Sequence, residues 1–450
     1  FAAAVWDSCF RKAPKGQNMP TVFSFLAVSL FLPYNNKKEK EWLIMDLIER
    51  FLKYVQIDTE SMPESTLTPS TLKQKDLGRI LVEELHELGL NDAMISEEGI
   101  VYAWLKSNLD QPCDRVGFVA HMDTSPDMSG KNVNPRVIKN YDGTDIVLNE
   151  ALNIKMSPKD FPSLKDDIGS DLIVTDGTTL LGADDKAGVA EIMDMLAYFI
   201  AHPEQKHGDI SIAFTPDEEV GRGTENFDVK LFNADYAYTV DGGNVNEVDY
   251  ENFNAASAKV IVNGLSIHPG GAKSKMKNSL LMAMEFQSLL PVFDNPAYTE
   301  GYEGFNHLTT LSGDCEKTVM NYIIRNHDKA LLEKQKGDFE NAALFMNRKY
   351  GDNSIELVIE DTYANMRSYI EKKMSMIEIV YEAIRDMGMT PVSHAIRGGT
   401  DGASLTYMGL PCPNLGTGGR QCHGKYEYAS INEMKKASEL LIRIVKKIAA

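Results

Sequence analysis

Three short apolar runs of the sequence each lead directly into acidic or histidine residues. The runs cover residues 116–120, 210–214 and 236–240, and the polar residues that follow them are His121 with Asp123, Glu218 with Glu219, and Asp241. In open α/β sheets, ligands bind at the carboxyl ends of the strands, so these side chains are predicted to meet at one sheet edge. Two further candidates are Asp184, which opens a helical pattern, and His423, which lies in a glycine-rich loop.

The chemistry of these candidates is that of a metal site. Imidazoles and carboxylates form a mixed nitrogen and oxygen set that suits zinc or another divalent ion. A single catalytic zinc needs three protein ligands, whereas two ions that share a carboxylate and a water would use all five candidates. The predicted ligands are His121, Asp184, Glu219, Asp241 and His423.

Two catalytic residues follow from the same pattern. Glu218 is the carboxylate left over beside a ligand, and it is predicted to take the proton from the attacking water and pass it to the leaving amine. Asp123 lies two residues beyond His121 and is predicted to hold the far nitrogen of that imidazole.

Each residue taken alone has an ordinary structural explanation. His121 alone would be a core histidine, Glu218 and Glu219 a solvated turn, and Asp184 the start of a capped helix. Solvated turns have no reason to fall together at consecutive strand ends. The combined pattern therefore favours the metal site.

The composition of the 450 residues is that of a folded protein with an acidic surface. The chain has 65 acidic and 46 basic residues and a net charge of −19, which excludes nucleic acid as a partner because phosphates need a basic surface. The five cysteines are odd in number and form no CxxC pair, so neither a disulfide framework nor a thiolate zinc site is indicated. The apolar run at residues 22–32 is too short to span a bilayer. We expect a cytoplasmic protein without a membrane partner.

From Met45 onward, helical and strand patterns alternate. Helices are predicted over residues 47–55, 75–88 and 186–201, and the three apolar runs named above are predicted strands. This alternation predicts an α/β fold whose catalytic domain has a mostly parallel sheet.

The order of elements changes in the middle of the chain. The predicted elements are strand 258–262, helix 279–290, strands 308–312 and 319–325, helix 329–350 and strand 355–359. This βαββαβ order matches the ferredoxin-like unit. We therefore predict a small domain at residues 252–365 inserted into a catalytic domain of residues 45–251 and 366–450, with a helix at 370–387 leading back into the larger domain.

The first 44 residues are predicted to be an extension outside the native structure. Residues 37–41, Lys-Lys-Glu-Lys-Glu, can be encoded only by purines and lie three codons before Met45, where a ribosome-binding sequence would be found. We expect translation to begin at Met45. Mass spectrometry of the native N-terminus tests this, and a chain that begins well before Met45 would refute it.

The chain from Met45 to its C-terminus resembles the co-catalytic zinc peptidase family that includes carboxypeptidase G, aminoacylase and peptidase T. The resemblance implies a zinc-peptidase catalytic domain with an inserted lid. The segments that carry it are HMDTSPD (121–127), LLGADDKAG (180–188), FTPDEEVGRGT (214–224), TVDGG (239–243), HPG (268–270), YIIRNHD (322–328), IRGGTDGA (396–403) and GLPCPNLGTGG (409–419).

The resemblance also implies roles for individual residues. Asp184 would bridge two zinc ions, His121 and Asp241 would complete one metal site, and Glu219 and His423 would complete the other. The peptide bond between Asp184 and Asp185 would be cis. On the inserted domain, which acts in the family as a lid or dimerisation unit, His268 would stabilise the tetrahedral oxyanion. Arg325 and Arg397 would bind the C-terminal carboxylate of a peptide, because guanidinium groups suit bidentate recognition.

The activity implied is that of an aminopeptidase that removes the N-terminal residue of tripeptides. The substrate would be a small peptide, and a homodimer could form through the lid. A dipeptidase or an N-acyl amino acid hydrolase would use the same metals with a different pocket. An inactive relative that serves as a binding protein would normally lack a ligand or the base, and none of the seven positions is missing.

Overall fold

The structure, a computed structural model, describes residues 45–450, so the prediction for residues 1–44 lies outside the described part of the chain. The α-helices of residues 45–450 are α1 Leu47–Tyr54, α2 Gln74–Glu87, α3 Ala183–Ala201, α4 Val229–Phe232, α5 Ser279–Leu289, α6 Lys329–Tyr350, α7 Arg367–Ile370, α8 Ser375–Asp386, α9 Asp401–Tyr407 and α10 Ile431–Ile448. Short 3-10 helices cover Pro162–Lys165, Glu218–Val220, Pro269–Gly271 and Glu371–Lys373.

The β-strands of the same residues form five sheets. They are β1 Met94–Ile95, β2 Val101–Leu105, β3 Val116–His121, β4 Arg136–Ile138, β5 Ile146–Asn149, β6 Ile154–Met156, β7 Leu172–Val174, β8 Ile210–Thr215, β9 Tyr236–Gly242, β10 Val248–Asp249, β11 Glu251–Asn252, β12 Asn254–Asn263, β13 Phe305–Gly313, β14 Lys317–Asn326, β15 Ile355–Tyr363, β16 Ala395–Ile396, β17 Asn414–Gly416, β18 Gly419–Arg420 and β19 Tyr428–Ser430.

The central sheet has the strand order β1-β2-β8-β3-β9-β17-β10. Its four middle strands, β8, β3, β9 and β17, run parallel, and the strands at its two edges pair antiparallel. The three apolar runs are neighbouring strands of this sheet, and β3 and β8 are buried along their whole length. Because a parallel strand covered on both faces needs apolar residues throughout, these runs show no alternation. The predicted mainly parallel α/β fold is confirmed.

Helix α3 packs against the central sheet between α1 and α10. The shared core includes Phe51 of α1, Phe118 of β3, Leu196 of α3 and Leu441 of α10, all nearly or fully buried. The first residues of α3 are not regular helix, because Asp184 and Asp185 have the backbone angles φ −85, ψ 104 and φ −122, ψ 33. The regular helix thus starts at Lys186, where the sequence pattern begins.

The middle of the chain forms a second sheet with the order β13-β14-β12-β15, in which all pairs are antiparallel. Helices α5 and α6 pack against this sheet around buried residues such as Phe286, Tyr322 and Phe339. Residues 254–363 therefore contain the βαββαβ order expected from the sequence, and the strands extend beyond the predicted ones. The domain boundaries at 252 and 365 stay predictions.

Two smaller features complete the described part of the chain. The predicted helix at 370–387 is divided into α7, the short 3-10 helix and α8. A four-stranded sheet has the order β18-β19-β7-β4, and its strands β18 and β19 come directly before and after the loop that carries His423. Within residues 45–450, no helix is both long and apolar enough to cross a membrane.

Candidate metal centre

The parallel strands β8, β3 and β9 end at the same edge of the central sheet. In the register of β3 and β8, His121 lies opposite Thr215, the last residue of β8. Asp241 lies near the end of β9, the neighbour of β3 on its other side. The tertiary structure therefore brings together the side chains that the strand-end pattern predicted to meet.

The carboxylate of Asp184 lies between two histidines. Its Oδ1 is 2.8 Å from Nε2 of His121, and its Oδ2 is 3.3 Å from Nε2 of His423. Each oxygen thus faces a different imidazole, which is the arrangement a bridging carboxylate needs. The peptide bond between Asp184 and Asp185 is cis, as the resemblance implied.

The other two predicted ligands lie one on each side of Asp184. Asp241 Oδ1 is 3.6 Å from Nε2 of His121, and Glu219 Oε2 is 3.0 Å from Nε2 of His423. The second oxygen of Glu219, Oε1, is buried and has no hydrogen-bond partner in the described part of the chain. A buried carboxylate oxygen without a partner is a costly feature that a cation would satisfy.

The donor set fits divalent metal ions. Ligand atoms of His121, Asp184 and Glu219 lie within 4.8 Å of one another, and the same holds for His121, Asp185 and Asp241.

Burial by itself would raise the pKa of Asp184, but hydrogen bonds from His121 and His423 lower it well below its ordinary value. Burial raises the pKa of Asp241 to about 6, whereas hydrogen bonds to Asp184 and Glu219 raise the pKa of His423 to about 11.

Asp185 belongs to one of these groups, although it was not among the predicted ligands. Its carboxylate accepts the backbone N–H of His121 at 3.1 Å through Oδ2 and that of Gly188 at 3.2 Å through Oδ1. A Cβ atom at Gly188 would lie 1.9 Å from the carbonyl oxygen of Val240, so only glycine allows α3 to approach β9 this closely. Asp185 therefore orients the end of β3, and Asp184 is the side chain directed at the histidines.

Asp123 makes two kinds of contact. Its Oδ1 is 3.3 Å from Nδ1 of His121, the far nitrogen that the sequence predicted it to hold. The same carboxylate accepts the backbone N–H groups of Glu218 and Glu219 at 3.0 and 3.2 Å. One buried side chain therefore connects the imidazole to the loop that carries the predicted base.

Glu218 lies in the 3-10 helix that follows β8, beside the predicted ligands. Burial raises the pKa of its carboxyl well above the ordinary value. The charge of His121 lowers this pKa, and the charges of Asp241 and Asp401 raise it further. A carboxylate in such a place holds a proton more readily than an exposed one, as a general base that must later act as an acid requires.

The three predicted substrate residues form their hydrogen bonds with groups other than the predicted metal ligands. His268 is exposed, and its Nδ1 accepts the backbone N–H of Gly270 at 3.2 Å. The guanidinium of Arg325 lies 5.1 Å from the centre of the Tyr363 ring and donates to the carbonyl oxygens of Ala256 and Ile324.

Arg397 is held by the loop that precedes β13. It donates to the carbonyl oxygens of Gly301 and Glu303 at 2.6 and 2.8 Å and to the hydroxyl of Thr299 at 3.0 Å. Its guanidinium also lies 5.1 Å from the centre of the Phe253 ring. In this conformation Arg397, which follows β16, connects that part of the chain to the loop between α5 and β13.

The sequence prediction did not include several buried acidic residues around the cluster. Asp401 accepts the hydroxyl hydrogen of Thr215 at 2.7 Å, and burial raises its pKa to about 7. Glu427 accepts three backbone N–H groups of residues 181–184. Asp401 lies inside one of the segments that carry the resemblance, whereas no local pattern distinguishes Glu427 from a surface glutamate.

Residues 176–447 of the chain match the sequence model of peptidase family M20/M25/M40. The chain is 54% identical over 402 residues to a peptidase T of Alkaliphilus oremlandii, covering 89% of this chain and 98% of that protein. It is 53% identical over 398 residues to a peptidase T of Clostridium perfringens, covering 88% of this chain and 98% of that protein.

Solved structures show the same fold. An aminopeptidase PepT of Bacillus cereus is similar with a TM-score of 0.71 and 22% identity, covering 92% of this chain and 99% of that one. A tripeptidase of Staphylococcus aureus is similar with a TM-score of 0.72, at the same identity and coverage. A dinuclear metal-binding peptidase of Bacillus subtilis has a TM-score of 0.58 at 12% identity, covering 90% of this chain and 97% of that one.

Proposed function

The chain belongs to peptidase family M20/M25/M40, and from this premise we propose how it acts as a tripeptide aminopeptidase. Its activity is that of a hydrolase of the peptidase T type. The observation that carries this conclusion is identity of more than half of the aligned residues over 98% of the length of a peptidase T. The substrate is accordingly a small peptide with a free N-terminus.

We propose that two zinc ions are held by His121, Asp184 and Asp241 on one side and by Asp184, Glu219 and His423 on the other. Support comes from the two oxygens of Asp184, which face different histidines at 2.8 and 3.3 Å. When bound, the two ions would polarise the scissile carbonyl group and lower the pKa of the attacking water.

The proton transfers belong to Glu218. Its carboxylate takes a proton from the attacking water and delivers it to the amine that leaves when the first peptide bond breaks. Asp123 acts as a positioning residue, because it accepts the N–H groups of Glu218 and Glu219 and also lies beside His121 Nδ1. Burial of the site favours these steps by excluding water that would otherwise screen the charges.

Recognition of the peptide is assigned to His268, Arg325 and Arg397. His268 would stabilise the oxyanion, and the two arginines would bind the C-terminal carboxylate. A carboxylate at Arg397 would compete with the loop oxygens of Thr299, Gly301 and Glu303 for the guanidinium N–H groups. Substrate binding and the position of this loop would therefore be coupled, which would make the site sensitive to peptide length.

We also propose that residues 252–365 form a lid and that two copies of the chain associate through it. Leu281 and Met284 on α5 are 63% and 62% exposed, and their spacing of three residues places them side by side on the helix surface, where a second copy could cover them. A cytoplasmic location agrees with the free cysteines of the described residues, which are Cys113, Cys315, Cys412 and Cys422. Light scattering after size-exclusion chromatography tests the dimer, and a monomeric mass would refute it.

A substrate panel together with metal analysis tests the activity. The panel contains a tripeptide, the dipeptide and tetrapeptide of matching sequence, the N-acetylated tripeptide and an N-acyl amino acid. We expect elemental mass spectrometry to find two zinc ions per chain. We also expect the enzyme to release the N-terminal residue from the tripeptide and to lose this activity when a chelator removes the metal. Faster cleavage of the dipeptide or of the acyl amino acid would favour the related hydrolases, and metal binding without hydrolysis would favour a binding protein.

A further inference from the structure

Glu427 lies four residues beyond His423, and its side chain is directed at a different ligand segment. It is 1% exposed. Its Oε2 accepts the backbone N–H groups of Leu181 and Gly182 at 2.7 and 2.8 Å, and its Oε1 accepts that of Asp184 at 3.1 Å. Within residues 45–450, every hydrogen bond that this carboxylate accepts therefore comes from the turn that carries Asp184.

This turn has few means of satisfying its own N–H groups. It comes directly before the regular part of α3, which starts at Lys186, so its N–H groups have no preceding helical turn to bond to. Gly182 has φ 84, a left-handed conformation that directs the chain sharply into the helix. A buried N–H without a partner is costly, and hydrogen bonds to a carboxylate are roughly twice as strong as neutral ones. The carboxylate thus satisfies three N–H groups of the backbone that orients the Asp184 side chain.

The other end of Glu427 is also fixed. Its backbone N–H donates to the carbonyl oxygen of Gly424 at 3.1 Å, which closes the turn that follows His423. The next residue, Tyr428, begins β19 and pairs with Val174 of β7. A displacement of the His423 loop would therefore be transmitted through this one side chain to the Asp184 turn.

We propose that Glu427 is a positioning residue that joins the His423 loop to the Asp184 turn and sets the direction of the Asp184 carboxylate toward both histidines. This inference rests on the proposed two-metal function. Because Asp184 is the shared ligand, Glu427 controls both metal ions, whereas a residue that only packs against the loop would influence His423 alone.

The test compares Glu427→Gln and Glu427→Asp with Glu439→Gln as a matched control. Gln keeps the shape and one acceptor oxygen but places an amide N–H group against the N–H of Asp184. Asp keeps the charge but withdraws the carboxylate by one methylene group. Glu439 lies on α10 in an exposed ion pair with Arg443, so its substitution leaves the metal centre alone.

Metal affinity is measured by competition with a chelator, first with zinc and then with Co²⁺, whose absorption spectrum reports ligand geometry. For Glu427→Gln we expect both ions to bind about 10–100-fold more weakly, the range seen when residues that orient ligands are lost, together with an altered Co²⁺ spectrum. Glu427→Asp should fall between this variant and the wild type. Circular dichroism and thermal unfolding of the metal-free proteins identify any variant that does not fold.

Two results would overturn the inference. One is a folded Glu427→Gln or Glu427→Asp protein with wild-type affinities and an unchanged spectrum. The other is weaker binding at one metal position alone, since Glu427 would then act on His423 and not through Asp184. If the wild-type chain bound fewer than two ions, the proposed function would fail instead, so the two failures are distinguishable.

Discussion

Gln74 and Asp217 form a reciprocal pair of hydrogen bonds across 143 residues of sequence. Nε2 of Gln74 donates to Oδ1 of Asp217 at 2.7 Å, and the backbone N–H of Asp217 donates to Oε1 of Gln74 at 3.1 Å. Ser70 adds its own backbone N–H to Oδ2 of Asp217 at 2.6 Å and its hydroxyl to Oδ1. Since Asp217 directly precedes Glu218, the start of α2 holds the loop that carries the proposed base.

Gln74→Ala should therefore lower kcat while leaving the metal content unchanged. The substitution removes both bonds of the pair and leaves a buried N–H without its partner, which costs about 1–3 kcal/mol. If that whole cost displaces Glu218 from its place in the transition state, kcat falls by about 5–150-fold. Steady-state kinetics on a tripeptide measures the effect. Gln56→Ala is the control, because Gln56 is exposed and, within residues 45–450, its side chain bonds only to the carbonyl oxygen of Leu52. An unchanged kcat in a folded Gln74→Ala protein would exclude this role.

Glu218→Gln should abolish most of the activity. Loss of a general acid–base group reduces kcat by about 10²–10⁴-fold, and the variant should still bind two metal ions because Glu218 is not among the five proposed ligands. Rapid-quench or steady-state assays together with metal analysis separate the two effects. Glu225→Gln, at an exposed position near the same loop, serves as the control. Loss of metal in Glu218→Gln would reassign this residue as a ligand.

Arg397→Ala should weaken the discrimination between a tripeptide and its C-terminal amide. If the guanidinium binds the carboxylate, the wild-type KM is lower for the free acid than for the amide. The substitution should raise the KM of the free acid about 10-fold, as expected for loss of a charge-assisted hydrogen bond, and should change the KM of the amide little. Thr299→Val distinguishes a role through the loop, since it keeps Arg397 but removes the hydroxyl contacts to Arg397 at 3.0 Å and to the carbonyl oxygen of Asn295 at 3.1 Å. Equal increases of KM for acid and amide in both variants would refute the carboxylate assignment.

Glu191 provides a prediction on stability. This residue of α3 is fully buried, and neither of its carboxylate oxygens has a hydrogen-bond partner within residues 45–450. Burial raises its pKa well above the ordinary value of 4.5, and the charge of Asp194 acts in the same direction. In the unfolded chain the carboxyl loses its proton above its ordinary pKa, whereas in the folded chain it keeps its proton to a higher pH.

The unfolded state consequently binds fewer protons than the folded state above pH 4.5, the ordinary pKa of this carboxyl, and the free energy of unfolding falls as the pH rises. The slope from this one group is at most about 1.4 kcal/mol per pH unit. Glu191→Gln removes the titrating group, so its stability relative to the wild type should increase as the pH rises above 4.5 toward the raised pKa of the folded-state carboxyl. Urea unfolding at several pH values measures this difference, with Glu439→Gln as the exposed control. A difference that does not vary with pH would contradict the burial of a protonated Glu191.

Much of the candidate site could be predicted because it depends on local patterns. Residues 116–120, 210–214 and 236–240 are apolar over one strand length, and each is followed at once by polar residues. Parallel strands place their carboxyl ends at one sheet edge, so the meeting of His121, Glu219 and Asp241 follows from the strand assignments. The βαββαβ order could be read in the same way from hydrophobic periodicity.

The contacts that hold these residues in place could not be predicted in this way. Glu427 and Leu181 are 246 residues apart, and Gln74 and Asp217 are 143 residues apart. A buried glutamate or glutamine that forms hydrogen bonds with a distant segment has the same kind of local sequence environment as one on the surface. Only the packing of the chain decides which buried N–H groups lack a partner and which side chain reaches them.

The sequence by itself predicted the three strands of the central sheet that precede the polar residues, the βαββαβ order, the candidate metal ligands and Glu218 as the base. The strands and the βαββαβ order follow from hydrophobic periodicity, and the candidate residues follow from their chemistry. The tertiary structure alone decided that the two oxygens of Asp184 face different histidines, that Asp185 orients β3, and that Arg397 is held by the loop at residues 299–303. These relationships depend on distances between segments remote in sequence, and such distances are set by the packing of sheets and helices against one another.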